Sequence, residues 1–246
     1  MLRQMEGLKS YSIVATDGKF GKAADLLFDD AEWTVRHVVV DTGGWLTGRS
    51  VLIPPHTLES IDDSAREIRV SLTKSQVEHS PSIDTDLPVS RQWEDDYYAY
   101  YGVPNYWTGP YLWGPWIYPR EAEHPDLSGA EAEEQAAVRS RFDPHLRSFN
   151  KVNGYRVEAT DGGMGDIEDM IMDVDSWSVR YLVVDTSKLL PSRNVLLPPE
   201  DVDRVSWEDS TVYLEITKQQ LKDLPTFKSI EDAEPQKPRI VTVDRK

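Results

Sequence analysis

Residues 33–55, WTVRHVVVDTGGWLTGRSVLIPP, return 144 positions later as residues 177–199, WSVRYLVVDTSKLLPSRNVLLPP. The offset holds without insertion from Leu2-Arg3 and Leu146-Arg147 to Pro81 and Pro225, with about two dozen identities, far more than chance supplies. A chain that repeats itself this way must bury the same face twice. It therefore reads as two copies of one module of roughly 80 residues each, a length that supports a small hydrophobic core.

The elements of each copy follow from turn chemistry and periodicity. Residues 11–15 and 23–28 flank Asp17-Gly18, a pair suited to a tight hairpin turn. Residues 35–41 contain Val38-Val39-Val40, a β-branched run too short for a buried helix, and form the predicted central strand. Gly43, Gly44 and Gly48 loosen the chain before a strand over residues 50–53, which Pro54-Pro55 ends because proline has no N–H for a ladder. Ile68, Val70 and Leu72 alternate with polar residues, as do Val212, Leu214 and Ile216, so one face of that strand is core. Thr73-Lys74-Ser75-Gln76 and Thr217-Lys218-Gln219-Gln220 both fit a capping box that starts a short helix. Five or six short strands and one helical turn predict a small closed or nearly closed barrel.

The formal net charge is −16, divided as −4 over residues 1–84, −7 over 85–143, −5 over 144–228 and zero over 229–246. An acidic surface repels phosphate backbones and anionic lipid, so no nucleic-acid partner is expected. No run of apolar residues is long enough to span a membrane, and the absence of cysteine excludes disulfides and thiolate ligands. A cytoplasmic protein without a membrane span is the expectation.

Between the copies the chain changes character. Eleven of its 24 aromatic residues fall within residues 93–118, a density that flexible linkers do not have. Residues 90–101 carry Trp93, Tyr97 and Tyr100 or Tyr101 on one side of a predicted helix, ended by Gly102 and Pro104. Exposed together, so many rings are an aggregation hazard, so they are expected to pack within their own chain or across a homodimer. Residues 121–139 are rich in Ala and Glu and read as a solvated helix or spacer, and residues 229–246 read as a disordered tail. The sequence thus divides into copy one (1–84), an aromatic then acidic connector (85–143), copy two (144–228) and the tail.

Asp17-Gly18-x-x-Gly21 with Asp25, Val38-Val39-Val40-Asp41-Thr42-Gly43 and Val51-Leu52-Ile53-Pro54 are matched by Asp161-Gly162-x-x-Gly165 with Asp169, Leu182-Val183-Val184-Asp185-Thr186 and Val195-Leu196-Leu197-Pro198. In this order, and twice, they resemble the PRC-barrel family, named for the cytoplasmic domain of the photosynthetic reaction-centre H subunit and found also in a ribosome-maturation factor. Residues 80–107 are similar to the extension that follows the barrel in bacterial tandem-barrel proteins of this family. Residues 1–246 contain neither the membrane helix of the H subunit nor the N-terminal domain of the ribosome factor, so neither specific role is expected to carry over. The resemblance implies a mainly β fold of two small barrels related by an internal pseudo-twofold repeat. It also implies use as a protein-binding or assembly module, with no family catalytic residues.

The remaining chemistry-bearing residues read as structural. Asp41 and Asp185 follow the central strands in both copies, where a carboxylate caps turn backbone groups. Arg36, Arg49, Arg180 and Arg193 recur with them, as ion pairs or as a binding patch. The pairs Asp29-Asp30, Asp62-Asp63 and Asp95-Asp96 read as solvated surface. The five histidines, at positions 37, 56, 79, 124 and 145, show no ligand spacing, so no metal site is expected. No phosphate-cradling loop, dinucleotide fingerprint or nucleophile elbow occurs, and no cofactor is expected. Trp33 and Trp177 precede the central strands, where repetition favours packing over partner anchoring.

The functional expectation is a non-enzymatic scaffold whose partner is a protein. Its expected interaction surface is Trp93, Tyr97, Tyr101, Tyr106, Trp107, Tyr111, Trp113, Trp116 and Tyr118. The alternative is a binder of a small apolar or planar ligand through the same aromatic segment; the third reading is peripheral membrane attachment through residues 111–118, and an enzyme with a site between the repeats is a further one.

Overall fold

The computed structural model describes residues 1–46, 49–80, 100–101, 145–186 and 193–233. The chain opens with β1 (Leu2–Gln4) and the single turn α1 (Met5–Leu8). It divides into two compact units, an N-unit of Lys9–Ser148 and a C-unit of Met1–Leu8 with Phe149–Lys246. The sequence copies and the compact units do not coincide, because the leading segment of each copy completes the unit built from the other.

In the N-unit, β2 (Ser12–Ala15) and β3 (Gly18–Asp29) form the hairpin, with Ala15 opposite Gly18 across a turn at Thr16-Asp17. The second half of β3 pairs with β4 (Thr34–Asp41), and β4 pairs with β5 (Ser50–Ile53). A 3-10 turn at Pro55–Thr57 leads to β6 (Leu58–Asp62), antiparallel to β7 (Glu67–Val70), which runs parallel to β2. Helix α2 (Lys74–Glu78) follows with both halves of the Thr73/Gln76 capping box formed. β2 covers only the start of β3, and the edge left over is filled by β8 (Leu146–Ser148), with Leu27 opposite Ser148 and Asp29 opposite Leu146.

The C-unit follows the same plan. After α3 (Phe149–Val152) come β9 (Arg156–Ala159), β10 (Gly162–Asp173), β11 (Ser178–Asp185) and β12 (Asn194–Leu197). The 3-10 turn Pro199–Asp201, β13 (Val202–Ser206), β14 (Thr211–Leu214) and α4 (Lys218–Asp223) complete the copy, with β14 parallel to β9 and the Thr217/Gln220 capping box formed. The edge of β10 beyond β9 is filled by β1, with Leu2 opposite Asp173 and Gln4 opposite Ile171.

Period-two burial fixes the core side of the strands. Ile68, Val70 and Leu72 are buried, as are Val212, Leu214 and Ile216. The glycine motif has a steric cause as well. A Cβ at Gly21 would lie 2.5 Å from the Asp41 carbonyl oxygen, and one at Gly165, whose φ is +143°, would strike the Asp185 carbonyl. Only glycine allows strands β3 and β10 to kink this close to the end of the next strand.

Two expectations change. The ladders among the described residues leave each sheet open rather than closed into a ring. Between β5 and β6 the Pro54 carbonyl is taken by the Thr57 N–H at 3.0 Å and the Thr57 hydroxyl at 2.8 Å, which turns the chain instead of extending the ladder. Residues 229–233, which the sequence assigns to the tail, are instead part of the C-unit. β15 (Thr226–Phe227) pairs with β12, and the 3-10 turn Ile230–Ala233 places Ala233 in an apolar cluster with Ile171, Val183, Leu196 and Phe227. Among the described residues no helix is long and apolar enough to cross a membrane.

Met5 and Leu8 are 0% and 3% exposed, and α1 packs on β10. Met5→Ala should therefore cost about 2–5 kcal/mol, the usual range for emptying a core methionine site, and the loss should fall on the C-unit. Hydrogen exchange should quicken in residues 156–172 while residues 12–28 keep their protection. Equal loosening of the two segments would contradict the assignment of α1 to the C-unit core.

Candidate functional site

The two copies provide an internal comparison, because side chains with the same task in both belong to the fold. The motif aspartates are of this kind. Asp25 accepts the Leu26 N–H at 2.8 Å and the Ser148 hydroxyl at 2.5 Å. Asp169 accepts the Met170 N–H at 2.7 Å, the Glu6 N–H at 3.1 Å and the Gln4 side-chain amide at 3.0 Å. Each carboxylate thus grips the segment that completes its unit. Burial pushes the Asp169 carboxyl up to about 6, against the pull of its three N–H donors, and Glu6 adds to the rise.

Other repeated polar residues are structural too. Thr42 and Thr186 donate to the carbonyls of Arg49 and Arg193 at 2.5 and 2.6 Å and pin the loop that follows the central strand. The two arginines reach carbonyls at the end of the following helix, Arg49 those of Glu78 at 3.3 Å and Ser80, and Arg193 that of Leu224 at 3.0 Å. Trp177 is 8% exposed, and Trp33 stacks on Phe28 with ring centres 5.8 Å apart. Asp41 accepts the Gly43 N–H at 2.8 Å and is itself exposed.

The pair Asp29-Asp30 departs from the expected solvated surface. Asp29 is 3% exposed, accepts the Ala31 and Glu32 N–H groups, and faces the buried Arg36 guanidinium at 3.6 Å. Asp30 binds Arg147 at 2.6 Å and His145 at 2.9 Å, so it anchors β8 rather than facing water. Asp62 and Asp63 work in a turn, with Asp62 accepting from Ser64 and Ala65 and Asp63 from the Tyr11 hydroxyl. Asp95 and Asp96 lie outside the described residues. No group of His, Asp and Glu among the described residues is arranged to hold a metal ion.

Of the expected interaction surface only Tyr101 lies among the described residues; Trp93, Tyr97, Tyr106, Trp107, Tyr111, Trp113, Trp116 and Tyr118 lie outside them. Tyr101 is half-buried, and burial pushes its phenol up to about 12. Its neighbour Tyr100 meets it edge to face at 5.0 Å and donates to the Gln76 carbonyl at 2.8 Å. These two rings therefore sit against α2 of the N-unit.

Several positions at which the copies differ line one cleft of the N-unit. A cleft of about 540 Å³ in the N-unit is lined by Lys19, Phe20, Lys22, Asp41, Gly43 and Trp45, with Ser12, Gly21 and Thr42. Trp45 follows the central strand, leans on Phe20 at 5.8 Å between ring centres, and remains 37% exposed. The Lys74 ammonium lies 5.9 Å from the Trp45 ring centre, close enough for a weak cation–π contact. Lys19 and Lys22 point from β3 and are exposed; Lys19 pairs with Glu67 at 2.7 Å. Their counterparts in the second copy are Gly163 and Asp166, and that of Trp45 is Leu189. The sequence reading passed over this cleft because Lys19, Lys22 and Trp45 are spread over 27 positions and only the register of β3 on β4 brings them together. The available signal was the mismatch between copies, which a search for matches discards.

The family description of the PRC-barrel domain matches residues 7–77. A comparison with curated proteins finds no match. The matched stretch contains every residue of the cleft.

Two outcomes check the assignments of the aspartates. In the folded chain Asp169 holds a proton up to about pH 6, whereas in the unfolded chain it releases it near the usual carboxylate value of 3.8. Between these values the folded state binds more protons, so this group favours folding at the acid end and loses that contribution as pH rises. The Tm of wild type relative to Asp169→Asn should fall from pH 4 to pH 6.5, and a constant difference would contradict the burial of this carboxyl. Asp41→Asn should cost less than about 1 kcal/mol, since the exposed amide oxygen can still accept from Gly43. Urea melts check this, and a loss beyond about 2 kcal/mol would mean that Asp41 does more than cap a turn.

Proposed function

We infer that this chain, whose residues 7–77 form a PRC-barrel domain, is a non-enzymatic interaction and assembly module in which two PRC-type barrels are joined by the aromatic connector. The observation that carries the reading is Trp45, an indole left 37% exposed in a cleft whose floor is rigid strand. Leaving over a third of a large aromatic side chain exposed forfeits part of the roughly 1.5–3 kcal/mol that full burial contributes, and tryptophan is enriched among the residues that dominate protein interfaces. The second copy supports the same reading by contrast, because it keeps the hydrogen bond from Thr186 to Arg193 at the loop base but has leucine at the corresponding position. The fold needs the loop closed, and it does not need the indole. The helical pair Tyr100 and Tyr101 against α2 supports a connector that packs on the module that precedes it.

Affinity capture from the native cell with wild type and Trp45→Ala tests the reading. Trp45 is exposed, so the variant should melt within about 1 kcal/mol of wild type, as surface substitutions do. It should bind its protein partner at least about 30-fold more weakly, the loss typical of an interface tryptophan. An unchanged set of captured proteins from an equally stable variant would overturn the assignment of Trp45.

A further inference from the structure

We propose that the Trp45 cleft receives an acidic peptide segment of its partner, laid across β3 with carboxylates beside Lys19 and Lys22 and an apolar or aromatic side chain against the indole. The proposal rests on the interaction-module reading and adds the chemistry of the occupant. Lys19 and Lys22 line the cleft with Trp45, and the Lys74 ammonium lies 5.9 Å from the Trp45 ring centre, so three lysines border it in a chain whose net charge is −16. At physiological ionic strength the Debye length is about 8 Å, so a peptide in the cleft responds to these nearby charges more than to the acidic surface beyond them.

The charges are not all committed. Lys19 is tied to Glu67, the Lys74 backbone N–H donates to Asp17 at 2.9 Å while its ammonium lies 5.9 Å from the Trp45 ring centre, and Lys22 is exposed with no ion-pair partner among the described residues. Asp41, the only acid among the described residues that line the cleft, accepts the Gly43 N–H. The copies differ here by charge reversal: Lys22 faces Asp41 across the β3/β4 ladder, whereas Asp166 faces Asp185 across β10/β11. The same strand pair therefore carries a lysine in one unit and two acids in the other. That contrast is a property of neither the fold nor the overall charge.

The cleft geometry selects among anions. A small molecule needs most of its surface enclosed, whereas Lys19, Lys22, Asp41, Gly43 and Trp45 are all exposed along this cleft. A nucleic acid engages many phosphates, most often through arginine forks, and the cleft lining contains no arginine. A short extended peptide with alternating carboxylates and one aromatic ring fits both the length of the β3 face and the two kinds of contact.

Fluorescence anisotropy at 0.15 M salt, with the full chain and three labelled probes, tests the proposal. The probes are a peptide of alternating Glu and Asp with one central Phe, its Gln/Asn counterpart, and a single-stranded oligothymidylate. The acidic peptide should bind saturably, the amide peptide about tenfold more weakly, and the oligonucleotide more weakly than the acidic peptide. Lys22→Glu, an exposed site that should not alter the melt, should weaken the acidic peptide about fivefold or more and leave the amide peptide unchanged. Equal binding of the acidic and amide peptides, no binding of the acidic one, indifference to Lys22→Glu, or preferred binding of the oligonucleotide would each overturn the acidic occupant. If any of these occurs while Trp45→Ala still abolishes capture of the cellular partner, the module reading stands and only the proposed occupant is wrong.

Discussion

An edge strand leaves a row of backbone N–H and C=O groups without partners, and the rest of this structure depends on how those groups are supplied. β10 is twelve residues long, but β9 covers only its start. The remaining edge is met by β1, and in the N-unit the corresponding edge of β3 is met by β8. Buried backbone groups must be paired, so neither unit is complete without a segment that belongs, by sequence, to the other copy. Asp169 and Asp25 hold these segments from below with charge-assisted hydrogen bonds, each on the strand that receives the incoming one. The motif aspartate of the repeat is therefore a grip for a completing strand, and burial raises the Asp169 carboxyl against the pull of the groups it holds.

This arrangement separates what the fold demands from what it leaves open. Gly21 and Gly165, Thr42 and Thr186, and the two capping boxes recur because strand crossing, loop closure and helix start are the same problem in both units. Lys19, Lys22 and Trp45 do not recur. The second copy has Gly163, Asp166 and Leu189 at these positions, so the repeat itself does not require the two lysines or the indole. An internal repeat thus acts as its own control, without recourse to any second protein.

The sequence made most of the strands legible. The tight turn before Gly18, the β-branched run at Val38–Val40, the Pro54-Pro55 stop and the Ile68/Val70/Leu72 alternation each rest on local sterics or periodicity, and each is found where local rules place it. Residues 2–8 and 145–148 were not legible, since three-residue strands and one-turn helices carry too little pattern. Nothing local says that Leu2 lies opposite Asp173 rather than Asp29. Asp29 and Asp30 were misread for a related reason: their partners Arg36, His145 and Arg147 are fixed by the sheet and by β8, and the turn sequence alone looks solvated. The candidate site was the least legible part. The sequence drew attention to the aromatic connector, of which the structure describes only Tyr100 and Tyr101, while the cleft is assembled from unremarkable lysines that only the β3/β4 register brings beside Trp45.

The exchange of leading strands is the claim on which the rest stands, and the absence of cysteine makes it directly measurable. Leu2→Cys with Asp173→Cys joins two residues that face each other across β1 and β10, within the Cα separation of about 4.4–6.8 Å that a disulfide spans. Leu2→Cys with Asp29→Cys instead pairs Leu2 with the matching position of its own copy. Under mild oxidation and dilute conditions the first variant should form an intrachain disulfide, seen as a two-dalton loss in the peptide that links residues 2 and 173, and the second should remain reduced. Rapid closure of Leu2→Cys to Asp29→Cys, with none to Asp173→Cys, would show that each copy keeps its own leading strand and would contradict the account.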